Sequence, residues 1–310
     1  AFGLMNKIRT RDDKYNICET VNVKQGMEYV AGRIQEYDSV IIGDIPCQAR
    51  NHILKYCFEH SIRTYILPKI SDIMLRGADD INLFDSPLLL ARNQGFTFEQ
   101  KVMKRTMDII LSLIGIVLTS PLMLLTALAI LIQDGAPVIH KQTRLTMGGK
   151  EFCVYKFRSM IKDAEKDGVA RLSAEKDVRV TPVGKVIRRV RLDELKGDMS
   201  LVGPRPERPQ IAAEYREYMP EFDYRLKVKG GLTGFAQIYG KYNTTPYDKL
   251  KLDLMYIENY SFRLDLKLIF MTVKILFMKE STEGVAEGQT TAALEEEGYQ
   301  RERPDGYGRY

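Results

Sequence analysis

Residues 109–132 read IILSLIGIVLTSPLMLLTALAILI, 24 consecutive positions without a charge. No other stretch restricts the fold as strongly. The hydrocarbon core of a bilayer takes about 20 apolar residues of helix. A soluble helix of that length would carry a polar face, and this one has none. The stretch is expected to enter a membrane. Ser120-Pro121 sits at its middle. Proline has no backbone N–H and crowds the preceding turn, so the helix is expected to break or kink there. Lys101, Lys104 and Arg105 precede it, and His140, Lys141 and Arg144 follow it. Positive flanks favour the cytoplasmic side, and both flanks are positive. A re-entrant helix over 106–132, dipping into one leaflet and returning, satisfies both constraints. A spanning helix with a proline kink is the alternative. The backbone groups freed at the break need partners, and the Ser120 hydroxyl is a candidate.

Upstream, DSVIIGDIP (38–46) reads as a buried strand, ARNHILKYCFEH (49–60) as a helix and IRTYILP (62–68) as a second strand. Strand, helix, strand is the signature of a parallel α/β unit. Its first turn has one glycine, Gly43, and no GxGxxG, so an NAD(P)-linked enzyme is poorly supported. A Rossmann-like accessory domain over 1–97, truncated at its N-terminus, is the expectation.

Charge is unevenly spread. The acidic tail 280–310 carries net −5, which leaves the rest at +10 against a total of +5. A basic body suits an anionic partner such as phosphorylated substrates or an acidic membrane surface. The tail is too poor in apolar residues to pack and is expected to be disordered. Cysteines at 18, 47, 57 and 153 form no CxxC pair, and His52, His60 and His140 do not cluster with them, which argues against zinc and for a reducing compartment. FRLDLKLIFMTVKILFMK (262–279) sets Lys267 and Lys274 on one face of an apolar helix, as expected of an amphipathic element at a membrane surface.

The polar region between holds KQTRL (141–145), YKFRSM (155–160), RRVRLDEL (188–195), GDMSLVGPRPE (197–207) and GLTGFAQIYGK (231–241). Asp193 and Glu194 follow the basic run GKVIRRVR, and Gly203-Pro204-Arg205-Pro206 comes soon after. A surface salt-bridge cluster is one reading. The sharper one is a site handling phosphates, a metal and a nucleophile together. Basic neighbours keep an aspartate ionised and nucleophilic. Arginine offers a planar fork for phosphate oxygens, and flanking prolines hold it in place.

Taken together, these motifs and the Ser-Pro membrane helix resemble the bacterial sugar transferase family, the monotopic phosphoglycosyl transferases, from about Lys104 to Phe277. The preceding α/β unit resembles that of the family's larger subgroup. The resemblance implies an α/β fold class: a small Rossmann-like domain and a mainly helical α+β transferase domain over 98–279. It implies transfer of a sugar 1-phosphate from a nucleoside-diphosphate sugar, UDP-hexose by expectation, to polyprenyl phosphate. Asp193 would be the nucleophile and Glu194 the Mg²⁺ ligand. Arg205, Arg188, Lys156 and Arg158 would bind phosphates. The expected partners are the nucleotide sugar, polyprenyl phosphate and membrane lipids, without nucleic acid, and a homodimer is left open. The expected location is the bacterial inner membrane with the catalytic domain facing the cytoplasm. Two departures stand out. Family members continue Asp-Glu-Leu with Pro-Gln-Leu and a further helical turn, whereas Leu195 is followed directly by Lys196-Gly197-Asp198. Gly230-Gly231 stands where Pro-Gly is common. The first departure motivates the alternative of a catalytically degenerate membrane scaffold or regulator.

Overall fold

The computed structural model describes residues 16–91, 95–161, 179–184, 194–195, 199–240 and 244–276, with the backbone alone at Glu194, Leu195 and Leu276. The tail 280–310 lies outside the described residues. The chain divides into two compact units between Ser71 and Asp72.

In the first unit, α1 (Met27–Ile34) precedes β1 (Ser39–Ile42), α2 (Cys47–Glu59) and β2 (Arg63–Ile66). β1 and β2 pair in parallel, Ser39 opposite Arg63 through Ile42 opposite Ile66. The expected strand–helix–strand unit is present. Its core is Val30, Ile34, Ile42, Ile53 and Cys57. These come from one stripe each of α1 and α2 and from the buried end of β1, which is why the helical periodicity was legible.

The unit boundary falls within α3 (Ile70–Arg76). An antiparallel hairpin follows, β3 (Asp79–Leu83) and β4 (Ser86–Leu90). Next comes the long helix α4 (Phe98–Asp134). Thr97 opens it with a capping box: its hydroxyl accepts from Gln100 N–H, and its own N–H donates to Gln100 Oε1. Gly135, at φ +68°, closes it and donates its N–H to Leu131 O. Of the break or kink expected at Ser120-Pro121, the break is not present: one helix runs through Pro121 without interruption. The carbonyl that a residue at 121 would have bonded is Val117 O. Ser120 Oγ donates to that oxygen at 2.9 Å, so the freed acceptor finds the expected partner.

Burial along α4 is confined to its ends: Lys104, Met107 and Asp108 at one, Ile130 at the other. None of the apolar window between is buried. Both ends nevertheless pack on the second unit. Asp108 accepts from Ser200 Oγ and Leu201 N–H. Ile130 packs with Phe157 and Val138.

Beyond α4, β5 (Ile139–Leu145) and β6 (Glu151–Phe157) form an antiparallel hairpin, and β7 (Glu194–Leu195) pairs antiparallel with β6. β8 (Ser200–Val202), α5 (Pro209–Tyr218), a 3₁₀ segment (Pro220–Lys227) and β9 (Gly231–Thr233) follow. β8 and β9 are parallel neighbours. α6 (Phe235–Tyr239), α7 (Pro246–Glu258) and α8 (Phe262–Leu276) complete the unit. Val202, Ala212, Met219, Leu250, Leu254, Tyr256 and Leu268 are its most deeply buried apolar side chains. α8 buries Asp265 and Leu268 and leaves Phe262, Phe270 and Val273 exposed beside Lys267 and Lys274. An exposed face mixing aromatic and cationic side chains is the amphipathic pattern expected there.

Candidate functional site

β6 is the middle strand of its sheet, and its register fixes one neighbourhood. Lys156 stands opposite His140 on β5 and opposite Glu194 on β7. The ammonium-bearing residue of YKFRSM thus faces one member of the carboxylate pair across a strand ladder. Glu194 lies on a strand, where the resemblance implied a helix. Asp193 and Arg188 lie outside the described residues.

Arg158, two residues beyond Lys156, is 8% exposed. Its Nη2 donates to Gly135 O at 2.7 Å and lies 4.0 Å from Asp134 Oδ2. It therefore holds the C-terminal end of α4, where a cation complements the helix dipole. Its Nε and Nη1 are buried without a hydrogen-bond partner among the described residues. Buried donors are normally satisfied, so this pair of N–H groups is suited to an anionic acceptor.

Arg205 sits on the loop between β8 and α5, and this loop is tied down carbonyl by carbonyl. Pro204 O accepts from Gly231 N–H, and Glu207 O from Leu145 N–H. Arg205 O accepts from Arg225 Nη2 at 2.8 Å, and Pro206 O from Arg144 Nη1 at 3.0 Å. The glycines at 230 and 231 are required by this packing: a Cβ on Gly231 would come within 2.0 Å of Gly203 N, and one on Gly230 within 2.5 Å of Pro206 Cγ. Gly230 N–H also points at Thr146 Oγ1, a contact that proline would forgo. The loop meets β5 at Leu145, whereas Lys156 and Glu194 stand across from His140. The two points are five residues apart on β5, about 17 Å of extended strand. The described residues bring Lys156 and Glu194 together and set the Arg205 loop at the other end of the hairpin.

Beneath the loop, Arg225 and Asp253 are 5% and 1% exposed. Arg225 Nη2 is 2.7 Å from Asp253 Oδ2, within ion-pair range, yet off the line of a hydrogen bond, and neither Asp253 oxygen accepts one among the described residues. Arg225 Nη1 lies 3.7 Å from Glu207 Oε1. Burial pushes the Asp253 carboxyl up to about 6, opposed by Arg225 and Lys249 and assisted by Glu207.

The basic flank of α4 is not all surface charge. Lys104, read from the sequence as part of a positive flank, is 6% exposed and bonds Asp265 Oδ2 and Tyr256 Oη. The rings of Phe96, Tyr256 and Tyr260 surround it at 5.4–6.0 Å. Desolvation raises the Asp265 carboxyl, and Lys104 pulls the other way. Through Asp108, the first turns of the same helix hold β8, which leads from the Asp193-Glu194 region to the Arg205 loop.

Sequence reasoning missed Asp108, Arg225 and Asp253 and read Arg144 only as flanking charge. Their roles come from partners 20 to 93 residues away, and no local pattern marks such pairs. Among the described residues no group of three His, Cys, Asp or Glu side chains could hold a metal. Mg²⁺, however, is commonly held by one or two carboxylates completed by substrate phosphates, and Glu194, the expected ligand, meets that requirement in donor chemistry.

Residues 99–279 match the bacterial sugar transferase family. The chain is 42% identical over 183 residues to the UDP-N-acetylgalactosamine-undecaprenyl-phosphate N-acetylgalactosaminephosphotransferase of Aeromonas hydrophila, covering 56% of this chain and 43% of that protein. It is 36% identical over 256 residues to the UDP-glucose:undecaprenyl-phosphate glucose-1-phosphate transferase of Klebsiella pneumoniae, covering 79% and 53%. It is 32% identical over 252 residues to the undecaprenyl-phosphate galactose phosphotransferase of Salmonella typhimurium, covering 73% and 52%. The chain spans about half the length of the curated relatives it matches.

Proposed function

The chain belongs to the bacterial sugar transferase family, and from that premise we propose that it transfers a sugar 1-phosphate from a UDP-hexose to undecaprenyl phosphate. The product starts a lipid-linked glycan such as an exopolysaccharide, capsule or O-antigen. The relatives' names share undecaprenyl phosphate as the acceptor while their sugars differ. The observation that carries the reading is the register that faces Lys156 with Glu194, next in sequence to Asp193.

In the proposed reaction an Asp193 carboxylate oxygen attacks the β-phosphorus of the donor. The bond from that phosphorus to the bridging oxygen breaks, and UMP leaves with the electron pair. The sugar phosphate is then held on Asp193 as an acyl phosphate. A phosphate oxygen of the lipid attacks the same phosphorus, restores the Asp193 carboxylate and leaves as the polyprenyl diphosphate sugar. An anion approaching a diphosphate is repelled, so the charge must be offset beforehand. Lys156 and the Arg158 N–H groups that have no partner among the described residues are suited to that; Arg188, and Arg205 from the loop at the far end of the hairpin, are proposed as further phosphate ligands. Bound Mg²⁺ would supply Lewis-acid neutralisation of the diphosphate, with Glu194 as its protein ligand.

The apolar part of α4 is proposed as a re-entrant membrane helix. Support comes from its bare middle and from the attachment of both ends to the same unit. In this reading α8 lies at the bilayer surface, the first unit is a Rossmann-like accessory domain, and the transferase unit faces the cytoplasm from the inner membrane. A lipid phosphate at headgroup depth is then within reach of the site.

The reading is tested by incubating the protein with UDP-hexoses and Mg²⁺ and measuring intact mass. A phosphosugar adduct that is absent in Asp193→Asn is expected. An unmodified mass with every donor, or full turnover by Asp193→Asn, would defeat it. One observation favours the rival reading of a non-catalytic scaffold: Glu194-Leu195 is a strand where the resemblance implies a helix. Absence of UMP release in the same assay would favour that rival.

A further inference from the structure

We infer that Asp253 is a positioning residue for the phosphate-binding loop, holding Arg225 so that Arg225 can hold the Arg205 carbonyl. The inference rests on the transferase reading of Arg205.

The loop's own chemistry makes outside support necessary. Pro204 and Pro206 have no N–H to donate, so the backbone between 203 and 207 is held mainly through its acceptors. Four successive carbonyls are engaged. Two meet backbone N–H groups, from Gly231 and Leu145, whose positions are set by strands. The other two meet guanidinium groups, of Arg225 and Arg144, and a side-chain donor is only as fixed as its own partners. Among the described residues Arg225 has two acidic partners. Glu207 is part of the loop itself and cannot anchor it from outside. Asp253 belongs to α7 and is the nearer, at 2.7 Å.

The energetics point the same way. Desolvation outweighs Arg225 at Asp253, so its carboxyl sits at about 6, with Arg225, Glu207 and Lys249 as the charged groups facing it. A buried pair on those terms is a poor source of stability. Its contribution is geometric: the charge on Asp253 keeps the Arg225 guanidinium beside the Arg205 carbonyl. Ion-paired Asp253 fixes the Arg205 loop, and protonated Asp253 releases it.

The test uses the full chain with Mg²⁺ and UDP-hexose, reading UMP release against donor concentration. Asp253→Asn keeps the volume and removes the charge. The expected result is a donor KM raised about tenfold with kcat within about twofold, since uniform binding is lost. In the unsubstituted protein donor KM should rise as pH falls below about 6, where Asp253 takes up its proton, and Asp253→Asn should flatten that dependence. In an Arg225→Gln background Asp253→Asn should add nothing, because the two act as one unit. Should Asp253→Asn fail to fold, Arg225→Lys reads the same link, keeping the charge and losing the fork; it too should raise donor KM. An unchanged KM, or additive losses in the double variant, overturns the inference alone. No UMP release from the unsubstituted protein overturns the transferase reading and this inference with it.

Discussion

Lys104 Nζ lies 2.7 Å from Asp265 Oδ2, joining the start of the long apolar helix α4 to α8 across 161 positions of sequence. Tyr256 completes the group, accepting from Lys104 and donating to Asp265 Oδ1 at 2.8 Å. Asp265 is fully buried. Removing one partner strands the other charge away from water, which typically costs about 3–5 kcal/mol. Asp265→Ala is therefore expected to lose on the order of 4 kcal/mol. Lys104→Met with Asp265→Leu should recover most of it. Chemical denaturation of the detergent-solubilised protein measures both; equal losses for the single and double changes would contradict the assignment.

Asp108 ties the same helix to β8 by two hydrogen bonds, from Ser200 Oγ at 2.7 Å and Leu201 N–H at 3.0 Å. Bonds to a charged acceptor contribute about 1.5–3 kcal/mol each. Asp108→Ala should cost about 3 kcal/mol and Ser200→Ala about half that. If the β8 tie positions the Arg205 loop, Asp108→Ala should also slow UMP release where folding is retained. Thermal unfolding and turnover on the same samples decide it.

The re-entrant reading predicts one-sided labelling. Cysteines introduced by Gln100→Cys and Gln142→Cys in a background free of native cysteine should react with an impermeant thiol reagent from the same face of sealed vesicles. Labelling from opposite faces would mean that α4 spans the bilayer. Pro121→Ala restores an N–H for Val117 O, whose present donor is Ser120 Oγ. A straighter helix follows, and the Gln142→Cys label should move toward the opposite face.

Lys156 faces Glu194 on the sheet. Lys156→Met should lower the rate of adduct formation by about 10²-fold, the scale of losing one preorganised charge partner. Rapid-quench mass analysis gives that rate, and a loss under about threefold would remove Lys156 from the site.

The stability contributed by Asp253 should fall as pH rises from about 4 to about 7. The Asp253 carboxyl moves from 3.8 to about 6 on folding, so the folded state binds the proton more tightly across that window. The slope of unfolding free energy against pH is then negative. The full effect is on the order of 3 kcal/mol, because each tenfold gain in proton affinity on folding is worth about 1.4 kcal/mol. Asp265 and Glu258 are also raised and add in the same direction. Asp253→Asn should reduce the slope, as read by urea unfolding at pH 4, 5.5 and 7.

The sequence by itself determined the elements whose cause is local. An uncharged run of 24 residues gives one long apolar helix that bonds its own backbone. A serine beside the proline can reach the one carbonyl that proline orphans. Strand–helix–strand periodicity gave the parallel pair of the first unit, and the ordered motifs gave the family. Tertiary structure decided what each charge does. Lys104 looks in sequence like any other flanking cation, yet it is buried among three aromatic rings and an aspartate. The prolines around Arg205 looked sufficient to hold it, whereas Arg144, Arg225 and two backbone amides hold that loop. The cost or benefit of a charge depends on whether water or a partner reaches it, and that is settled only when residues distant in sequence are folded together.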